Sequence, residues 1–495
     1  MYLVTLFASL LIFSAVTFTF LNSRYFSLFH PFTFYSLFHG LVFVIRPLLS
    51  QWLHYELVYQ VYEFTPSIED KITVIVAANL GFLAFGFFSM RQGAIEMRFA
   101  RDPLLTAERN RLARFFVWVL VVCGPIAAWS LQSNFVAASN YAVLDTLATD
   151  RATGVIYNTK GSGYFYEAQM MLVTLTAVLA WLFRFRLISL IPLFVFVIYR
   201  AATGGRGPFV TALIATGLLY LFDQRRRFPT LKMLATLAAA GLMFTAVGQD
   251  RGQSVRALLG EQVDSRRSGE NDLRFMEGMD FANMEFFEFI VYVVPQRSHT
   301  YGYFNDVLQL FTEPVPRALW PGKPFGAPFE RIRMYDYGFP VGYTRSLPGE
   351  GWYSLGWLGV VIWCGLWGYG LGAIYRKFVE SEQNAFQVAA YMVFLPIMIV
   401  AYRDGLIVTV FRQGIFFMAP ILLWIAITRF FNVPLARDIR TLLARKQRRE
   451  ALLALPAPDA SSAAVRSAPD PDRHLPPAVR RRRQALRASE PGQPV

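Results

Sequence analysis

Apolar positions in this chain come in long blocks, broken at intervals by short polar stretches, and they follow neither a strand nor an amphipathic-helix period. A helix needs about 20 predominantly apolar residues to cross a bilayer, and fewer where neighbouring helices bury it. On that measure the pattern predicts about eleven spans, near 2–22, 31–50, 72–90, 115–131, 166–183, 187–200, 208–222, 231–248, 353–375, 385–402 and 412–430. The expected fold is therefore all-α and polytopic, with one large exterior loop between spans eight and nine. The expected organisation is residues 1–248 as spans one to eight, 249–352 as the loop, 353–431 as spans nine to eleven, and 432–495 as a basic tail. The first block has no basic flank and no small-residue cleavage site, so it reads as a retained span. Spans six and seven are short and Gly-interrupted, a pattern that often marks a functional site in membrane proteins.

Composition agrees with this reading. Of 495 residues 55% are hydrophobic and 17% charged, below the roughly 25% charged residues of soluble domains. Aromatic residues reach 16%, as suits interfacial belts. Orientation follows from where Lys and Arg fall in short loops. Met90 to Arg114, the turn Arg184-Phe185-Arg186, Asp223 to Lys232 and the loop opened by Arg376-Lys377 are all basic, and they share one side with the tail in an eleven-span arrangement. That side is expected to be cytoplasmic and the N-terminus exterior. About half of the net charge of +14 lies in the Arg-rich tail, which beside so many spans reads as an anchor near anionic lipid and not as a nucleic-acid surface. From Pro456 the tail lacks any apolar period and is expected to be disordered. Cys123 and Cys364 both lie in apolar blocks, so neither a disulfide framework nor a metal site is expected.

The exterior loops carry the unusual residues. Tyr199 to Pro208 joins spans six and seven and contains Arg200 and the run Gly204-Gly205-Arg206-Gly207. Pro208 fits the first turn of a helix. The N–H groups of that turn, with Arg206 beside them, make an anion site, whereas a tight turn with Arg at headgroup level is the plainer alternative. Met276 to Val294 mixes aromatic residues with Asp280, Glu285 and Glu288 and reads as a helix lying in the interface. Further on come Arg317, Trp320 and Lys323, then Arg331, Arg333 and Arg345, and around the last exterior loop Arg403 and Arg412. Cations there run against the charge bias of membrane proteins and point to an anionic ligand, with pairing of Arg403 to Asp404 or Arg331 to Glu330 as the competing explanation. Glu350, between two glycines in Leu347-Pro348-Gly349-Glu350-Gly351-Trp352, is the candidate general base, with Asp336, Glu330 and His299 as competitors. No phosphate-binding loop, zinc helix or nucleophile elbow occurs, and the apolar blocks hold no carboxylates at mid-depth. ATP-driven transport and proton pumping are accordingly disfavoured.

The Gly204-Gly205-Arg206-Gly207 turn, the string Pro316-Arg317-x-x-Trp320-Pro321-x-Lys323-Pro324 and the stretch Gly349-Glu350-Gly351-Trp352-Tyr353-x-x-Gly356-x-x-Gly359 together resemble the bacterial Wzy-type oligosaccharide repeat-unit polymerases of O-antigen and exopolysaccharide synthesis. The resemblance covers roughly Arg200 to Arg412. It implies a metal-independent glycosyltransferase of the bacterial inner membrane, active on the periplasmic face and needing no cofactor. A glycan on undecaprenyl pyrophosphate passes to a hydroxyl of a second lipid-linked unit. Glu350 and Arg206 are the expected catalytic residues. Arg200, Arg317, Trp320, Lys323, Arg345, Arg403 and Arg412 are the expected substrate-binding residues. A Wzz-like chain-length regulator is a further implied partner. An O-antigen ligase using the same donor, and a flippase or transporter of lipid-linked sugars, are the alternatives.

Overall fold

A computed structural model describes residues 1–100, 102–139, 163–202, 207–235, 274–315, 319–320, 328–329, 331–340 and 342–453. Every regular element among them is helical. In chain order these are α1 (Tyr2–Leu21), α2 (Pro31–Leu53, with a π-turn at Gly40–Ile45), α3 (Leu57–Tyr62), α4 (Ile68–Gln92), α5 (Pro103–Ser139), α6 (Met171–Leu182, entered through a 3-10 turn, Gly163–Met170), α7 (Leu187–Ala202), α8 (Gly207–Asp223), α9 (Asn283–Val293), α10 (Asn305–Thr312), α11 (Leu347–Glu380), α12 (Ala385–Asp404), α13 (Ile407–Phe430) and α14 (Ala436–Leu453). Seven of them are long and apolar enough to cross a membrane: α1, α2, α4, α5, α11, α12 and α13. The molecule is that of a multi-pass membrane protein. Helices α6, α7 and α8 are apolar but shorter, and most of the expected eighth span, 231–248, lies outside the described residues.

Local chemistry sets several helix starts. Ser67 and Asp70 form a reciprocal capping box at α4, with N–H bonds of 2.9 and 3.1 Å. Asn384 and Gln387 do the same at α12. Between the helices, Phe32, Tyr35, Phe82, Phe85 and Tyr402 make a buried aromatic core, with the Tyr35 and Phe85 rings 4.0 Å apart.

The chain separates into two compact units, Met1–Val433 and Pro434–Val495. The second opens with α14, whose charged sequence is helical up to Leu453, a length of ordered helix that composition alone did not suggest. Within the first unit the basic turns gather at one end of the helices. There Arg109 pairs with Asp223, Arg227 with Glu96, and Gln383 bridges the Ala100 N–H (2.8 Å) and the Arg98 carbonyl (2.7 Å).

The described residues between 274 and 346 build the opposite end, and their arrangement corrects one expectation. The helix expected to lie in the interface, α9, is instead packed between α4 and α11, with every residue but Tyr292 buried. The reason is Arg46. This arginine of α2 is fully buried and reaches both carboxylate oxygens of Glu285, at 2.9 and 2.8 Å, and the Glu277 carbonyl at 3.1 Å. Glu288, the other acid on α9, accepts a 2.7 Å bond from Tyr59. Acids that marked α9 as a surface helix are thus satisfied inside the protein.

Candidate active site

Glu350 does not stand on a surface loop. The segment Leu347–Glu380 is a hairpin of two helical arms, broken at Leu355 and Gly356, where Gly356 takes φ +59°. Residues eight apart along a straight helix are separated by about 12 Å. Here a Cβ on Gly359 would lie 2.0 Å from the Gly351 carbonyl oxygen, and one on Gly351 2.6 Å from Val360 Cα. The short arm, 347–354, therefore folds back on the long arm with glycine against glycine. The spacing of Gly351, Gly356 and Gly359 has this physical purpose: one glycine for the turn and two for the contact. Span nine was expected to begin at 353, whereas the helical segment begins at Leu347 and its first arm is buried.

The hairpin carries Glu350 into the end of the bundle, with its side chain 1% exposed. Arg345 Nη1 donates to Glu350 Oε2 at 2.9 Å, and Ser354 Oγ donates to Oε1 at 3.2 Å. Arg345 also pairs with Asp306 at the start of α10, and its Nε donates to the Tyr343 hydroxyl at 3.1 Å. Its guanidinium lies 3.8 Å above the Tyr353 ring. Burial works against the charge on Arg345, but Asp306, Tyr343 and Glu350 outweigh it and hold the guanidinium firmly protonated. Burial likewise raises the Tyr343 phenol, with Arg345 pulling the other way. Two carboxylates share one cation, so the cluster carries a net negative charge when both are ionised.

The turn after α12 closes one wall. Gly405 takes φ +71°, and a Cβ there would lie 2.1 Å from the Ser346 carbonyl oxygen and 2.9 Å from Glu350 Cβ. The Arg403 carbonyl accepts from Ser346 N and from Asn283 Nδ2, both at 2.8 Å, while Trp363 Nε1 holds the Gly405 carbonyl at 3.1 Å. The backbone beside Arg403 is therefore fixed against Glu350. The Arg403 side chain is 39% exposed, and its one ion pair among the described residues is with Asp280, at 3.9 Å.

The other cations join the same end. Arg412 lies 3.1 Å from Glu167 and 3.6 Å from Glu313, the residue just after α10. Arg200, at the end of α7, donates to Gln169 at 2.7 Å on the turn that carries Glu167. The 163–170 turn and α10 thus link three sets of polar contacts, Arg200 to Gln169, Arg412 to Glu167 and Glu313, and Arg345 to Asp306 and Glu350. Trp320 is 39% exposed, and Arg331 stacks over the Tyr303 ring. Arg206, Arg317, Lys323 and Glu330 lie outside the described residues, although α8 begins at Gly207, directly after Arg206.

The sequence singled out Glu350 and Arg345, which the structure brings into contact, but not their contacts with Asp306 and Ser354 or the Arg46–Glu285 pair. Ser354, four residues after Glu350, is a helical neighbour that spacing could have flagged. The other pairings join residues 39 and 239 positions apart and leave no local signal. No group of three or more His, Cys, Asp or Glu suited to a metal ion occurs among the described residues. No family model matches the chain, and neither a curated protein nor a solved structure matches it.

Proposed function

We propose that this protein is a polymerase of lipid-linked oligosaccharide repeat units, placed in the bacterial inner membrane with its site on the periplasmic face. The observation that carries the reading is a buried carboxylate, Glu350, hydrogen-bonded by Arg345 and Ser354 at the end of the helices opposite the basic turns. The positive-inside bias makes the basic end cytoplasmic, so the Glu350 end faces the periplasm. In the reaction, a hydroxyl of the acceptor unit attacks the anomeric carbon of the donor glycan. Its proton passes to Glu350, and the bond from the anomeric carbon to the pyrophosphate oxygen breaks. Undecaprenyl pyrophosphate leaves with the electron pair. Negative charge grows on the leaving group, and fixed cations there stabilise the transition state more than the ground state.

The cations divide by role. The polar partners of Arg345 are protein groups, so it orients Glu350. Arg403, half-exposed and weakly paired, is the described cation best able to meet the pyrophosphate, with Arg206 as the second cation in this scheme. Arg412 and Arg200 hold the walls. Trp320 offers a face for a sugar ring. The test is complementation of a polymerase-deletion strain with the full chain. The expected result is a restored ladder of polymer. A wild-type chain that is present in the membrane and restores only a single repeat unit, or nothing, overturns the reading.

A further inference from the structure

We infer that α10 is embedded in the bilayer and presents its outer face to lipid hydrocarbon. A helix on a water-exposed loop turns its apolar stripe inward and its charges outward. Helix α10 does the reverse. Asp306, in its first turn, points inward to Arg345, and Glu313, just past its last residue, pairs with Arg412 of α13. Leu308 and Phe311, three residues apart and so on one face, are 45% and 76% exposed. In water these side chains would leave an apolar patch beside a cluster of charges.

What covers the patch follows from its surroundings. Helix α10 packs on α13, one of the helices able to cross a membrane, and Phe411 and Ile415 of α13 are 54% and 51% exposed. These flank Arg412, the residue that anchors the end of α10. The apolar face of α10 thus lies beside the exposed apolar residues of α13, and the same hydrocarbon covers both. The consequence rests on the proposed function: a substrate carried on a lipid reaches Asp306, Arg345 and Glu350 at bilayer level, past α10, without first leaving the membrane. The placement of α10 does not depend on that function.

The test is made on the full chain with Cys123 and Cys364 replaced by Ala and a single nitroxide at Leu308→Cys or Phe311→Cys, in phosphatidylcholine–phosphatidylglycerol liposomes. Both positions are exposed, so the labels need no repacking. Ile415→Cys serves as the lipid reference and Arg226→Cys, exposed in a basic turn, as the aqueous one. Oxygen concentrates in hydrocarbon, whereas a charged nickel chelate is excluded from it. The inference predicts that oxygen exceeds nickel chelate in collision rate several-fold at 308 and 311, as at 415, with the opposite ranking at 226. Nickel chelate dominating at 308 and 311 overturns it in favour of water. Suppression of both collision rates overturns it in favour of a covering protein surface. Because no activity is read, failure here is distinct from failure of the polymerase reading.

Discussion

Arg46→Met removes the guanidinium that ties α2 to α9 and to the 276–278 strand of chain. The side chains of Arg46 and Glu285 are 0% and 3% exposed, so neither partner can turn to solvent after the change. Methionine is close in length but carries no charge and no donor. The loss comprises the two-oxygen contact to Glu285 and the bonds to the carbonyls of Met276, Glu277 and Gly278. Breaking a buried pair on one side costs about 3–5 kcal/mol, because a charge is left uncompensated. Replacing both partners with apolar residues is often near neutral. Arg46→Met/Glu285→Met should therefore recover the part due to the uncompensated charge, leaving the loss of the bonds to the Met276, Glu277 and Gly278 carbonyls at about 1 kcal/mol each. The assay is the thermal midpoint of purified protein in one detergent, followed by size-exclusion chromatography. The expected order of stability is wild type, then the double variant, then the single variant. A single variant as stable as wild type, or a double variant worse than the single, would refute the account of why α9 is buried.

Three further outcomes are expected. Burial raises the Glu288 carboxyl to about 7, with Lys71 and the Tyr59 hydrogen bond pulling it back, so the folded state binds a proton that the unfolded chain releases above its ordinary range near 4.5. A raised carboxyl contributes stability at low pH that is lost as pH rises from 4.5 toward 7, by about 3 kcal/mol at most; Glu288→Gln should therefore match wild type in thermal midpoint at pH 5 and exceed it at pH 8, and equal midpoints at pH 8 would count against this. Gly405→Ala places a Cβ 2.1 Å from the Ser346 carbonyl oxygen at φ +71°, which adds a backbone displacement to the roughly 1–2 kcal/mol of a left-handed alanine, so polymer ladders should collapse and the thermal midpoint should fall; unchanged ladders would show that the wall beside Glu350 tolerates movement. Arg403→Ala should lower the polymerisation rate about tenfold to a hundredfold, the equivalent of about 1.5–3 kcal/mol for a charge-assisted bond, with Arg403→Lys restoring only part; full restoration by Lys would mark the residue as a simple headgroup charge.

Much of the architecture was legible as hydropathy, because a bilayer demands long apolar helices wherever the chain crosses it. The seven long helices fall where the apolar blocks lie. The described stretch from 274 to 346 was not legible in the same way. There the chain makes its structure through distant pairs, and a glutamate such as Glu285 looks solvated until Arg46 is brought to it. The glycines around Glu350 were visible as a motif but read as a loop, since period and composition do not distinguish a flexible turn from a hairpin whose arms touch. Glu350 and Arg345 emerged from the sequence because their chemistry is unusual at a membrane surface. Asp306 did not, because an aspartate near a helix start is ordinary until its partner is known.

The central claim is that Glu350 takes the proton of the acceptor hydroxyl. It is tested most directly with purified chain in proteoliposomes, supplied with lipid-linked repeat units extracted from a strain lacking the polymerase, by following undecaprenyl pyrophosphate release together with polymer length. Wild type should release undecaprenyl pyrophosphate in step with each new linkage, and Glu350→Gln, folded and equally reconstituted, should release almost none. Glu350→Gln building polymer at the wild-type rate would contradict the account.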